Sequence, residues 1–306
     1  MKYFNIKAQN KDINLSYIIF PILCLFLCAC KNRNYIDYYN KVYAIDSTLR
    51  VNKDTLSTIK QYKKLFKKYP PSQNERIEEY ENYIKFSDKY NKNFGGKKSL
   101  YKLIPLVAPY WKFKRKDTDF FKLYKKYGID SITVERKIVE WKNSLNKQLV
   151  DSFRIAFIRD QAKDSITGQQ SLNNFRKNAA LLKWTLANYG YPSMQKIGLE
   201  TDDGVFMPML IYLNHMAQIE DYEYFKTKLL DYVKSGDLPP RDYVEMVERH
   251  VQINHLKPVY GVKSTDEENI KDSSKVNHNR RAIGFPSLKQ SSKITKDFFK
   301  KINKKN

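Results

Sequence analysis

No cysteine follows position 30 in this chain; Cys24, Cys28 and Cys30 are all it has. Whatever folds beyond that point has no disulfide and no side-chain thiolate. Cross-linked frameworks, cysteine nucleophiles and cysteine-ligated zinc are excluded together. The body must be held by packing alone. Of 306 residues, 42% are hydrophobic, enough for a core, and 23 Tyr and 17 Phe give it bulk. Only 10 residues are Gly, which favours helices over tight β-turns.

The three cysteines close a leader. Lys2, Lys7 and Lys11 precede an apolar run from Leu15 to Ala29. Its length, about fifteen residues, suits a signal peptide and falls short of the roughly twenty that a spanning helix needs. It ends Leu27-Cys28-Ala29-Cys30, which resembles a lipobox. The expectation is a signal peptide over 1–29, cleaved to expose Cys30. Its thiol then becomes a thioether to diacylglycerol, whose acyl chains are fatty acids such as palmitate. Each buried methylene contributes about 0.8 kcal/mol, so two or three chains hold a protein on a bilayer. The competing reading is an uncleaved signal anchor. Lys31-Asn32-Arg33 follows the cysteine, where some surface-exported lipoproteins carry an acidic run. The expected address is a lipid-anchored position in the cell envelope, facing the periplasm.

The body reads as all-α. Tyr38, Val42, Ile45 and Leu49 recur at helical spacing. Asp54 is placed to cap a second helix along Leu56, Ile59, Tyr62, Phe66 and Tyr69, which Pro70-Pro71 stops. A third shows Ile77, Tyr80 and Ile84. The first pair resembles a degenerate tetratricopeptide unit through Leu49, Tyr62 and Pro70. Such hairpins need neighbours to cover their apolar faces. Pro105 and Pro109 break Leu100 to Trp111, and Asp117 caps a short helix ending at Gly128. Ile138, Trp141, Leu145, Leu149, Phe153, Ala156 and Phe157 predict one helix of more than five turns. Further helices are expected near 169–189, 203–217, 221–235 and 240–254. The expected organisation is a leader over 1–29, a hairpin region over 30–130, a helical domain over 131–290 and a basic tail over 291–306. In that tail Ile294, Phe298 and Ile302 lie four apart among lysines. It is either a small amphipathic helix on an anionic bilayer or a frayed terminus.

Chemistry is harder to place. Gly95-Gly96-Lys97-Lys98-Ser99 lacks the phosphate-loop pattern. No Gly-rich nucleotide motif and no Gly-x-Ser-x-Gly elbow is present, so no cofactor is expected. His250 and His255 are not at metal-ligand spacing, and no metal site is expected. The apolar stripe through Phe157 leads to Asp160, a carboxylate that marks either a helix end or a site. His215 lies in the apolar run from Val205 to Ala217. It is either a hydrogen-bonded core histidine or a catalyst.

The order of the polar motifs points further. Arg159-Asp160-Gln161 is followed by Asn178, Gly190-Tyr191-Pro192, Ile197-Gly198 and Asn214-His215. Then come Glu248-Arg249, Tyr260-Gly261 and Arg280-Arg281-Ala282-Ile283-Gly284. Over roughly 148–290 this resembles a bacterial family known only as domain of unknown function 6624. Its pattern runs Arg-Asp-Gln, Gly-Trp-Pro, Gln-His, Asp-Arg and Tyr-Gly. The resemblance implies a helical domain and a polar pocket lined by Asp160, His215, Glu248, Arg249 and Tyr260. Arg159, Gln161, Asn178, Gly190, Pro192, Gly261, Arg280 and Arg281 would be its structural motif. The chain departs at Tyr191 for Trp, Asn214 for Gln and Glu248 for Asp. Pro258 and Val262-Lys263 stand where the pattern has Gln and Thr-Gln.

Two functions follow as expectations. One is a lipid-anchored, non-enzymatic module that binds a protein or peptide. The other is a hydrolase or transferase with Asp160 or Glu248 as base, His215 as acid or base and Arg249 as charge stabiliser. They part on geometry: the enzyme needs these side chains in one cleft. The net charge of +23 suits an anionic partner or lysines spread over solvated faces. An exported chain is not expected to meet nucleic acid.

Overall fold

Local capping by Asn and Asp side chains sets six of the helix starts. The computed structural model describes residues 33–72, 78–161, 168–262 and 272–303, so the leader and Cys30 lie outside it. The fold is all-α. Among the described residues the one β-type pairing is an isolated bridge between Glu200 and Phe206. No described helix is long and apolar enough to cross a membrane.

Asn34 caps α1 (Tyr35–Arg50), its side chain accepting from the Ile36 N–H. Asp54 caps α2 (Thr55–Lys68) through the Ser57 N–H. The two helices pair, burying Tyr38, Val42 and Ile45 against Ile59, Tyr62 and Leu65. Leu56, expected in this stripe, is exposed. It sits beside the 51–54 connection, where α1 has already ended. Next come α3 (Glu79–Lys89) and α4 (Gly96–Val107). Past Pro105, which lies inside α4, the chain tightens into a 3₁₀ turn (Ala108–Tyr110) that contains Pro109, and a single turn, α5 (Trp111–Lys114), follows. Asp117 caps α6 (Thr118–Lys126), and α7 (Ser131–Asn143) follows.

The long helix expected through Ile138 and Phe157 is two. It breaks after Asn143 and restarts as α8 (Lys147–Asp160). The Asn146 side chain accepts from the Leu149 N–H at 3.1 Å. Asn143-Ser144-Leu145-Asn146 is rich in capping side chains, and their local hydrogen bonds win over the apolar spacing. The break also separates two cores. Val134 and Ile138 of α7 are buried with α1 to α6. Leu149, Phe153, Ala156 and Phe157 of α8 are buried in the second core. The chain therefore passes from one core to the other at 144–146. Both cores belong to one compact unit.

The second core is built from α8, α9 (Gly168–Asn188), the single turn α10 (Met194–Ile197), α11 (Met209–Met216), α12 (Tyr222–Ser235) and α13 (Pro240–Ile253). The helix expected over 203–217 begins only at Met209. Gly204, at φ +86°, and the Glu200–Phe206 bridge occupy the preceding segment, and Pro208 takes the N-cap. Two helices close the chain, α14 (Ser273–Ala282) and α15 (Leu288–Asn303).

The basic tail is docked rather than free. Ile294 of α15 is buried in the first core. Arg50 bridges Asp46 at 2.7 Å and Asp297 at 3.0 Å. The Gln290 amide donates to the Tyr43 carbonyl. Phe298 and Phe299 remain exposed beyond these contacts.

Helix α1 also touches the second core. Ile36 packs against it, and the ring of Tyr35 lies on Gly236. A Cβ there would stand 2.5 Å from Tyr35 Cγ, and φ is +86°. Gly236→Ala therefore combines left-handed strain with overpacking. Urea unfolding of this variant is expected to show a loss of about 2–4 kcal/mol. A change below about 1 kcal/mol would mean that Tyr35 does not sit there.

Candidate functional site

Three of the polar motifs meet at the end of α8. The Asp160 side chain is fully buried, and His215 of α11 is 21% exposed. His215 Nδ1 lies 2.7 Å from Asp160 Oδ1. A carboxylate accepts, so Nδ1 is read as carrying the proton and Nε2 is left with its lone pair. Asn178 of α9 donates to the same Asp160 oxygen at 3.2 Å. Gln161 donates to Oδ2 at 2.7 Å. Arg159 does not touch Asp160. Its Nε donates to Asn178 Oδ1 at 3.0 Å, so the amide relays the cation to the carboxylate.

One neighbour holds the imidazole and another holds Asn178. Phe175, one turn before Asn178 on α9, stacks on the ring with centroids 4.2 Å apart and 16° between planes. Tyr212, one turn before His215 on α11, donates its hydroxyl to the Asn178 carbonyl at 2.6 Å. Burial raises the Tyr212 pKa well above the tyrosine range, so it stays a donor. Gln161 also lines a shallow apolar groove of about 350 Å³ with Phe157, Ile158, Val205, Phe206 and Ile211. The motif-based reading found Arg159, Asp160, Gln161, Asn178 and His215. It missed Phe175, whose only signal was its place three residues before Asn178 on one helix face.

The rest of the expected pocket lies in a separate cluster. Glu248 of α13 is buried and accepts from the N–H groups of Val259 and Tyr260, at 2.8 and 2.5 Å. Arg280 of α14 is 1% exposed. It donates to the carbonyls of Tyr260 at 2.6 Å and Pro286 at 2.5 Å, and stacks on Phe285. Asn279 adds a bond to the Val259 carbonyl at 3.1 Å. The Tyr260-Gly261 loop is thus pinned from two helices, with Gly261 at φ +64°. Arg249 bonds Gln252 on its own helix. Arg281 is exposed, and its carbonyl accepts from Asn40 of α1. Glu248, Arg249 and Tyr260 share no hydrogen bond with the Asp160–His215 pair. Glu248 and Tyr260 brace a loop. Gly190, at φ +73°, ends α9, and Pro192 follows the buried Tyr191.

A larger hollow than the groove beside Gln161 lies elsewhere. It measures about 740 Å³ and lies among α3, α4, α5 and the start of α6. A smaller one of about 230 Å³ adjoins it, lined by Tyr191, Met209 and Asp237 of the second core. Ser72 and Tyr110 line both, so the two form one cleft at the junction of the cores. Sequence reading missed this cleft because its walls come from five separate segments.

No protein family, curated protein or solved structure matches the chain.

Two substitutions separate brace from pair. Glu248→Ala orphans one buried and one part-buried N–H group and is expected to cost about 1–3 kcal/mol in urea unfolding. Asp160→Asn replaces an ionic acceptor and is expected to cost about 1–3 kcal/mol. Nitrogen-15 NMR of the wild-type imidazoles should show the neutral His215 ring with its proton on Nδ1. An Nε2–H tautomer there would contradict the assigned bond.

Proposed function

We propose that this chain is a lipid-anchored cell-envelope protein whose body is a binding module. The supporting observation is the cleft: two adjoining hollows at the junction of the cores, joined through Ser72 and Tyr110. Pockets of several hundred Å³ at such junctions are where small ligands are held. The polar motifs support the same reading in a negative way. The Glu248 carboxylate is engaged by two backbone donors, so a three-residue catalytic set with Asp160 and His215 is not assembled. The anchor rests on the leader and on Cys30.

The second reading is a hydrolase or transferase working through Asp160 and His215 alone. One observation favours it. Asp160 fixes Nδ1, Phe175 fixes the ring plane, and Nε2 is left to take a proton. Gln161 ties this pair to the apolar groove beside it. In this reading the resemblance to domain of unknown function 6624 would extend to a shared dyad.

Leu106 lines the larger hollow, only partly buried at the edge of the first core, so Leu106→Trp adds bulk to the wall of the hollow. Native mass spectrometry of envelope-purified protein is expected to show a bound small molecule that Leu106→Trp loses, with circular dichroism unchanged. Equal occupancy in both proteins would remove the cleft as the site. Labelled palmitate should enter the wild-type chain and not Cys30→Ser, which should leave the membrane fraction. A Cys30→Ser chain that still sediments with membranes would defeat the anchor.

A further inference from the structure

The apolar stripe of α15 runs on past the core it packs against. Ile294 and Phe298 lie four apart, so they share one face of the helix. Ile294 is 3% exposed in the first core, yet Phe298, one turn on, is 48% exposed. Phe299 is 56% exposed, and its ring meets that of Phe298 edge-on, with centroids 5.8 Å apart. Two more apolar side chains, Val51 and Leu56, are exposed where α1 hands over to α2. The Arg50–Asp297 bridge, at 3.0 Å, ties the two places together, since Val51 follows Arg50 and Phe298 follows Asp297. Single exposed apolar residues need no explanation, but four at one end of the molecule do.

The charge at this end has one sign to spare. Lys289, Lys293, Lys296 and Lys300 of α15 are exposed, as are Lys53 and Lys60 near Leu56. Lys296 precedes Phe299 by three residues and Lys300 follows it, so both flank that ring. The carboxylates nearby are already engaged. Asp297 is held by Arg50 and, at 3.9 Å, by Lys293. Asp54 caps α2 through the Ser57 N–H at 2.9 Å. Among the described residues Lys296 and Lys300 form no ion pair. Aromatic rings set among lysines at the outside of a helix are the pattern that rests in the headgroup layer of an anionic bilayer. The rings enter its apolar edge while the flexible lysine stems carry their charge to lipid phosphates. A second copy of this chain would instead set lysine against lysine.

We propose that this end of the molecule rests on an anionic phospholipid bilayer, with Phe298 and Phe299 in the headgroup layer and Lys296 and Lys300 on lipid phosphates. Two rings and a few lysines hold reversibly, far short of an acyl anchor. The contact therefore orients a body that is kept at the membrane by other means, and salt releases it. It rests on the lipid-anchored reading and is separate from the cleft.

The test reads membrane contact at one position. Phe299→Trp exchanges one exposed ring for another, and Ile132→Trp places the same probe on α7, where Ile132 is 79% exposed. Both full-length proteins are put into vesicles whose acyl chains carry bromine, a quencher of tryptophan, with the wild type as background. In phosphatidylcholine mixed with phosphatidylglycerol, the added emission of Phe299→Trp should fall at least twofold, and that of Ile132→Trp should not change. High salt, phosphatidylcholine alone, or Lys296→Gln together with Lys300→Gln should each restore the emission. No quenching of Phe299→Trp in the mixed vesicles would overturn the proposal. So would equal quenching of Ile132→Trp, the mark of a +23 chain spread over anionic lipid without orientation. Quenching that ignores both salt and the two lysines would overturn it as well. A Phe299→Trp emission that responds to polyglutamate and not to bromine would give this end to an acidic protein. Flotation keeps the anchor apart from this contact. If the chain does not float with the vesicles, the anchored reading falls. The same quenching is then measured with the chain held on nickel-chelating lipid by an N-terminal hexahistidine tag.

Discussion

Tyr35, Tyr38 and Tyr39 stand within little more than one turn of α1, and distant parts of the chain are shaped to meet them. Gly236 closes α12 and takes the Tyr35 ring. Gly284, beyond α14, approaches Tyr39 so closely that an added Cβ would lie 2.9 Å from Tyr39 Cβ. Ser72 donates its N–H to the Tyr38 hydroxyl at 3.1 Å, and that hydroxyl donates in turn to Glu79 Oε1. The rings also contact each other and Tyr69, edge-on or tilted, with centroids 5.3–5.6 Å apart for Tyr38 with its neighbours. Such pairs add to area burial about 0.5–1.5 kcal/mol each. A chain without cross-links needs one element that both cores depend on. Here that element is a helix of rigid, large side chains with polar tips, set against positions where only glycine leaves room.

Three buried carboxylates show how differently one problem is solved. Glu248 is answered by two backbone N–H groups, which makes it part of the loop it holds. Asp160 is answered by histidine, asparagine and glutamine, which leaves one imidazole nitrogen outside the bargain. Glu79 is answered on one oxygen only. Both of the Glu248 bonds fall on one oxygen, Oε1, and their donors are the backbone of the loop that it braces. A ring nitrogen left over, His215 Nε2, is what sets the Asp160 pair apart.

The all-α architecture was legible because helical spacing and caps are local. Asn34, Asp54 and Asp117 announce their helices within three residues of sequence. The break at Asn146 was legible in principle, from the same chemistry, but seven apolar residues in register obscured it. Arg159, Asp160 and Asn178 could be suspected from motif order, and Asp160 from its position on an apolar stripe. That Asp160 meets His215 while Glu248 does not depends on how α8, α11 and α13 pack, which spacing along one helix does not encode. Glu79 was hidden for the opposite reason. Beside Ile77, Tyr80 and Ile84 it reads as the solvent face of α3, and only the α1 tyrosines turn that face inward.

Those tyrosines also bear on the meaning of the large positive charge. At physiological salt a charge is screened within about 8 Å, so lysines across the surface say little about what a recessed site prefers. Inside the cleft the deciding groups are those in direct contact. There the lysines are tied to Glu81 and Asp117. The tail follows the same logic. Its sequence pairs apolar residues with lysines in a pattern that fits a bilayer, yet Ile294 is buried against the first core and Asp297 faces Arg50. An apolar face already covered by protein has little left to give to lipid, which leaves only Phe298 and Phe299 among its described side chains for that purpose. In both places global composition suggests an anionic partner, and local packing decides which residues are left to meet one.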